Sequence, residues 1–386
     1  MKVSADLTYP KLDFSKKFFT TEEDSEFAIL TDEIKNLDNP RPLGLSGHLR
    51  VKNEARTIGL AIESCIDALD ELIITAQPSI DATYEICQAK AKKYPDKIKL
   101  FYYTPEVVPH PFSHCFDKDS HQQNGDSFSV HNFAHYSNYG LVRISYRYYV
   151  KIDADQIYFT EKLKALREAI LGADKYVKPK RSLLNKILGR LHRPFSDFLE
   201  AVLPLGIFAK YMTLVAGRCA YGLCGINLGQ NFKNNVGEIS IGGGALQEIE
   251  QEEIKNYFLP LNPKHSSGFS AYNGGIDTAI FIPNATTFYH YFINHGVETI
   301  PYGDVFCVRS LGCFWLHFGM VKKDIPCEGV KDEDYINLQD YYKAQKTDLK
   351  DKIKFRAIYK SDYNHLMANF KWHFQRDKKY LAHFVD

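Results

Sequence analysis

No stretch of the 386-residue chain approaches the roughly 18 consecutive apolar residues that a membrane span requires. The opening segment, MKVSADLTYPKLDFSKKFF, lacks the apolar run of a secretory signal. The expected address is therefore the cytoplasm, with the inner face of the cytoplasmic membrane as the place for any surface contact. Charge of one sign is not in excess: 48 Lys and Arg oppose 47 Asp and Glu, for a formal net charge of +1. That excludes a global attraction to nucleic acid. Eight cysteines are present without a single CxxC pair, and they are expected as reduced, mostly buried thiols. His110, His114 and Cys115 lack a fourth ligand at zinc spacing and read as solvated loop. No Gly-Lys-Ser/Thr follows the glycines of Ser240–Ala245, so that stretch is a turn or loop and not a phosphate cradle. Nor does a Gly-rich basic loop follow the first strand, where a nucleotidyltransferase would grip a triphosphate.

What is present is an ordinary globular composition, 45% hydrophobic and 25% charged, long enough for an ample core and two or three domains. Residues 1–45 are a polar lead-in arm without strong periodicity. From there strands and helices alternate through residue 172. Gly47–Lys52 is a short strand. Apolar residues at 58, 61, 62, 65, 66 and 69 then mark one helical face over Ala55–Leu69, with Asn53 placed as its cap. Glu71–Thr75 and Lys97–Tyr103 are further strands, with a helix from Asp81 to about Tyr94 between them. A helix ending near Val142 precedes the strand Tyr148–Ile152, and Thr160 caps the next helix. Such alternation implies a parallel sheet with right-handed crossovers, and ligands that bind beyond the carboxyl ends of its strands.

Beyond residue 172 the pattern changes. Residues 173–325 form a second half carrying a basic and apolar insertion, 175–217. Leu183, Leu184, Ile187, Leu188 and Leu191 share one helical face there, with Lys186 and Arg190 elsewhere on the wheel. An apolar stretch interrupted by Pro204 and Lys210 follows. Residues 178–217 are the expected peripheral membrane contact, with their basic side toward anionic lipid. Downstream, Ala279–Pro283 is a strand and Thr286–Asn294 a helix. Residues 326–386 form a helical tail rich in Lys and aromatics, whose interspersed Asp residues argue for packing and against nucleic-acid binding.

The chemistry gathers at Tyr148–Phe159, YYVKIDADQIYF. Asp is a poor strand former, and two like charges one residue apart repel. A hard divalent cation removes the conflict, since Mg²⁺ or Mn²⁺ takes one or two protein carboxylates together with phosphate oxygens. In extended chain Asp153 and Asp155 point the same way, so both can face one pocket.

Three stretches give this arrangement a family. Arg50–Ile74, Tyr136–Gly140 and Val150–Leu163 resemble glycosyltransferases of the GT-A fold, a Rossmann-like mixed α/β sheet flanked by helices, here with an added helical C-terminal segment. More narrowly they resemble bacterial surface-saccharide (lipooligosaccharide) β-1,4-N-acetylgalactosaminyltransferases. Fainter echoes run through Gly274–Asn284, Val297–Ile300 and Trp315–Lys323. The resemblance implies an inverting transfer of GalNAc or a related hexose from a UDP-linked donor to a saccharide or lipid-linked acceptor. It implies Mn²⁺ or Mg²⁺ on Asp155, with Asp153 near ribose and His317 as a third ligand. Donor contacts are implied for Arg50, Lys52, Asn53, Glu54, Asn138, Lys151 and Lys322. Glu298 is favoured over Asp277 as the base that takes the acceptor proton. One departure concerns the acid that family members carry just after the second strand: here the first acid is Asp81, so the base of the nucleotide is left open. The competing readings are a non-catalytic saccharide- or nucleotide-binding module on the same fold, and a sugar nucleotidyltransferase.

Overall fold

The computed structural model of the protein describes residues 25–107, 130, 133–177, 187, 199, 203–229, 248–260, 272–287, 289–292, 297–299, 307–319, 335–344 and 377–385. His110, His114, Cys115, Ser240–Ala245, Lys186, Arg190 and Lys322 lie outside the described residues.

The described chain opens with the short helix α1, Thr31–Lys35. Strands β1 (Leu45–Val51), β2 (Glu71–Ala76) and β3 (Ile98–Tyr102) alternate with helices α2 (Ile58–Ile66) and α3 (Thr83–Lys93). Helix α4 (Phe133–Leu141) precedes β4 (Tyr148–Asp153), and a two-residue turn leads into β5 (Gln156–Tyr158). Then come α5 (Thr160–Ala173), α6 (Leu205–Ala216), β6 (Cys219–Asn227), β7 (Phe258–Pro260), β8 (Tyr272–Ile280), β9 (His290–Phe292), β10 (Val297–Thr299), β11 (Cys307–His317), β12 (Tyr335–Asn337) and α7 (Leu338–Ala344). Residues 377–385 are helical.

The first sheet has the order β3-β2-β1-β4, parallel throughout. The second has the order β5-β11-β6-β8; β11 runs parallel to β6, whereas β5 and β8 run antiparallel to their neighbours. The two join where Tyr149 and Phe281 exchange backbone hydrogen bonds of 2.9 and 3.1 Å. The α/β architecture expected from the strand–helix alternation is the one observed.

Strands β1, β2 and β4 of the first sheet are buried on both faces, which is why they read as apolar runs, whereas the edge strand β3 is largely half-buried or exposed. Leu49, Leu72, Ile74, Val150 and Ile152 enter one core with Ile62 of α2 and Leu163 and Leu166 of α5. Ile73 and Tyr149 point the other way, toward Tyr136 and Tyr139 of α4. A third core joins Ile226, Leu228, Leu316 and Phe318 to α7 and to Leu381 and Phe384 of the last helix. That helix is fixed by a buried ion pair between Lys162 and Asp377, 2.7 Å apart. Cys65, Cys87, Cys219, Cys224 and Cys313 are buried and in no disulfide, as expected.

Four local expectations need correction. Asn53 does not cap α2, whose N-cap is Thr57. Asn53 instead sits at φ 56, a left-handed conformation that Asn tolerates, and its side-chain oxygen accepts from the backbone of Ile80 at 2.9 Å. Thr160 does not cap α5; its hydroxyl donates to the Ser64 carbonyl at 2.8 Å and ties α5 to α2. No helix begins at Thr286: Asn284 accepts from the backbone and hydroxyl of Thr286 at 2.9 and 2.7 Å, forming a turn, and the aromatic run enters β9. Lys210 does not break the apolar segment, since it lies within α6, whereas Pro204 does, as the non-helical N-cap (φ −53, ψ 143) after which the helix starts.

Candidate active site

Parallel pairing of β1 and β4 brings their carboxyl ends to one rim, with Arg50 and Asp153 as register partners. Asp153 ends β4, and Ala154 and Asp155 form the turn into β5. The acids therefore converge through a turn and not through the alternation of an extended strand. The turn is pinned to the far sheet, since the Phe318 amide donates to the Asp155 carbonyl at 2.9 Å.

Asp153 is surrounded by cations. Arg50 Nη2 lies 3.5 Å from Oδ1 and Lys151 Nζ 3.4 Å from Oδ2. Gln156 donates to Oδ2 at 3.1 Å, and its side-chain oxygen accepts from the Asp153 amide at 3.3 Å and the Tyr158 hydroxyl at 2.8 Å. Burial opposes ionisation of Asp153, but Lys151, Arg50 and the nearby His317 outweigh it and hold the carboxyl below its ordinary value. Asp153 is thus a carboxylate held in place, with about a third of its side chain open.

Asp155 faces His317. Oδ1 lies 3.4 Å from Nε2, with side-chain exposures of 12% and 21%, low enough to fix both groups and high enough for a ligand to reach them. His317 is the last residue of β11, and its Nδ1 is 2.7 Å from Asn227 Oδ1 at the end of β6. Gly319 lets the backbone approach this pair closely. A Cβ there would lie 2.6 Å from His317 Cε1, 2.9 Å from Nε2 and 3.4 Å from Asp155 Oδ2.

One carboxylate oxygen and one imidazole nitrogen, both partly exposed, suit a divalent cation that completes its shell from phosphate and water. Among the described residues no group of three or more His, Cys, Asp or Glu side chains gathers for such an ion. Asp155 and His317, with Asp153 beside them, are the residues that could hold such an ion.

The other expected residues divide. Arg50 is a strut: it donates to Ser137 and its guanidinium lies 4.5 Å from the centre of the Phe133 ring. Asn138 is committed to the chain itself, its amide donating to the Tyr289 carbonyl at 2.9 Å and accepting from the Tyr289 amide at 2.8 Å. That places it as a fastener for the segment before β9, where a donor contact was expected. Lys52 and Asn53 are exposed on the loop after β1, and Glu54 is buried there with its amide donating to Thr83 Oγ1 at 2.6 Å. Asp81 accepts from the Ala55 and Thr83 amides, each at 3.1 Å, which ties the loop after β1 to the start of α3. Asp277 lies in β8, and Glu298 in β10 opposite Tyr291.

Residues that sequence reasoning passed over lie directly beneath. His48, fully buried on β1, is 3.3 Å from the Tyr149 hydroxyl and 3.1 Å from Thr75 Oγ1. The Tyr149 hydroxyl reaches that of Tyr289 at 3.0 Å. Gly140 permits this close approach, because a Cβ would lie 2.0 Å from His48 Nε2. Asn227 and Gln156 were also missed. Their only signal was a polar residue ending or starting an otherwise apolar strand.

No protein-family profile matches the chain, and no curated protein matches it. Among solved structures, glucosyl-3-phosphoglycerate synthase from Mycobacterium tuberculosis in complex with Mg²⁺ and UDP is 20% identical over 33% of this chain and 37% of that chain, with a TM-score of 0.21. The same synthase with UDP is 19% identical over 45% and 56%, at a TM-score of 0.24. TarS residues 1–349 from S. aureus are 16% identical over 34% and 33%, at a TM-score of 0.23. The chain thus spans less than two thirds of each of these proteins.

Proposed function

We propose that the protein is a metal-dependent inverting glycosyltransferase of the GT-A type. In this reading it moves GalNAc or a related hexose from a UDP-linked donor to a saccharide acceptor in lipopolysaccharide or other surface-glycan synthesis. The observation that carries the proposal is the Asp155–His317 pair, 3.4 Å apart beside the cation-flanked Asp153 at the rim of a parallel sheet. The resemblance of Arg50–Ile74 and Val150–Leu163 to this family supports the same assignment.

Asp155 and His317 would hold Mn²⁺ or Mg²⁺. When bound, the ion supplies positive charge to a departing diphosphate. Asp153, kept ionised by Lys151 and Arg50, is placed to accept hydrogen bonds from ribose hydroxyls. Lys151 and Lys322 add positive charge for phosphate. Glu298, ahead of Asp277, takes the acceptor proton as the sugar carbon gains positive character. The helix α6 presents Ile207 and Leu214, 55% and 53% exposed, just after the basic residues 175–193, which favours an acceptor handled at an anionic lipid surface. Among the described residues no helix is long and apolar enough to cross a membrane.

A panel of nucleotide sugars with and without Mn²⁺ tests the proposal by thermal unfolding and product analysis. One donor should raise the midpoint only with the metal, and turnover should release nucleoside diphosphate. Glu298→Gln should abolish transfer and keep donor binding. Pyrophosphate release would instead indicate a nucleotidyltransferase, and metal-independent binding without turnover a binding module. Full turnover by Glu298→Gln with none by Asp277→Asn would reverse the order of the two acids.

A further inference from the structure

A histidine can ligate through Nε2 only if that nitrogen carries no proton, so something must hold the proton on Nδ1. At His317 the holder is on the page. Nδ1 lies 2.7 Å from the side-chain oxygen of Asn227, and a carboxamide oxygen only accepts hydrogen bonds. The proton therefore sits on Nδ1. Nε2 is then the ring nitrogen turned toward Asp155, with the Gly319 backbone close beside it. Its separation from Asp155 Oδ1 is 3.4 Å.

The backbone sets this geometry. Asn227 and His317 are register partners at the ends of parallel β6 and β11, and the Leu228 amide donates to the His317 carbonyl at 2.9 Å. Asn227 is 6% exposed, so little water competes for its oxygen.

We propose that Asn227 is the positioning residue of the site: it fixes the His317 tautomer and ring plane so that Nε2 and Asp155 present a preformed pair to a divalent cation. The inference rests on the metal reading given under Proposed function. Asn227 acts through His317 and needs no contact with donor or acceptor.

The test uses the full chain labelled with ¹⁵N at histidine, free of metal, at about pH 8, above the ordinary histidine range. The two-bond ¹H–¹⁵N spectrum, assigned by the loss of one ring system in His317→Gln, should show His317 as the Nδ1–H tautomer. Asn227→Asp, which keeps an acceptor, should preserve that pattern, and Asn227→Leu should move it toward Nε2–H. In parallel, free Mn²⁺ is counted by electron paramagnetic resonance in the presence of UDP. Loss of an outer partner to a ligating His typically weakens metal binding ~10–100-fold, and that is the loss expected for Asn227→Leu but not for Asn227→Asp. An Nε2–H tautomer in the wild type overturns the proposal. So does Asn227→Leu binding Mn²⁺ like the wild type while His317→Gln does not. If the wild type binds no Mn²⁺ at all, the metal reading falls, and the spectrum still decides what Asn227 does to His317. Should Asn227→Leu fail to fold, the wild-type tautomer remains the deciding measurement.

Discussion

Arg50 illustrates how far a residue's type can be read and where its task must be seen. A cation at the carboxyl end of the first strand of a parallel sheet invites assignment to phosphate. Instead its guanidinium pairs with Asp153, donates to Ser137 and lies over Phe133, so it tensions the rim that holds the acid. The acids were legible because Asp at the end of an apolar strand is an anomaly that needs a cause. Asn227 and Gln156 were not, since their roles arise from register between strands far apart in sequence. His48 was illegible for the same reason, and it carries a pH prediction. Burial, then the nearby Arg50, push its imidazole well below the ordinary value, so it is neutral in the folded chain. The unfolded chain takes up that proton as pH falls below about 6.5. His48 therefore contributes fully to stability above that pH, and its contribution is lost progressively as pH falls further. Thermal midpoints measured from pH 7.5 downward should decline, and His48→Gln should flatten that decline. An unchanged slope in the variant would mean that other groups set the acid limb.

At the scale of elements, periodicity did most of the work where tertiary packing agreed with it. The face of α2 read from 58, 61, 62, 65 and 66 is the buried one, and the strands of the first sheet fall within two residues of their expected bounds. Misreadings came where a side chain captured the backbone, as Asn284 does before β9, or where a charged residue was taken to interrupt an apolar run, as Lys210 was in α6. Helix α6 buries Phe208, Ala209 and Met212 and leaves Ile207 and Leu214 outside, seven residues apart on one face. Residues 175–193 precede it with a strong positive excess. Their charge should bring the chain to anionic lipid, and the two apolar side chains should then enter the interface. In sedimentation with anionic vesicles the wild type should pellet, and neutral vesicles should leave it in solution. Replacing Ile207 and Leu214 with Asp, or Lys186 and Arg190 with Ala, should each reduce the pelleted fraction severalfold. Equal pelleting with both vesicle types, or none with either, would remove the membrane contact from the proposed function.

At the scale of the whole molecule, the site belongs to neither sheet alone. Asp153 closes the first sheet, Asp155 lies on the turn between them, and His317 and Asn227 end adjacent strands of the second. The Tyr149–Phe281 junction makes this one continuous surface, and Lys162 and Asp377 brace β11 from behind, the lysine donating to the Cys313 carbonyl. A ligand that bridges Asp155 and His317 must therefore stabilise both sheets together. At one hundred times its dissociation constant it adds about 2.7 kcal/mol to the folded state, and that gain is shared by every segment that opens only on global unfolding. Hydrogen exchange with Mn²⁺ and UDP should accordingly slow peptides covering β4–β5 and peptides covering β6 and β11, with the same metal dependence. A nucleotide held solely by the loop after β1 and the end of β2 would protect residues 45–85 and leave β11 unchanged. That pattern would separate nucleotide recognition from the Asp155–His317 pair, and with it the reason for assigning sugar transfer to this rim.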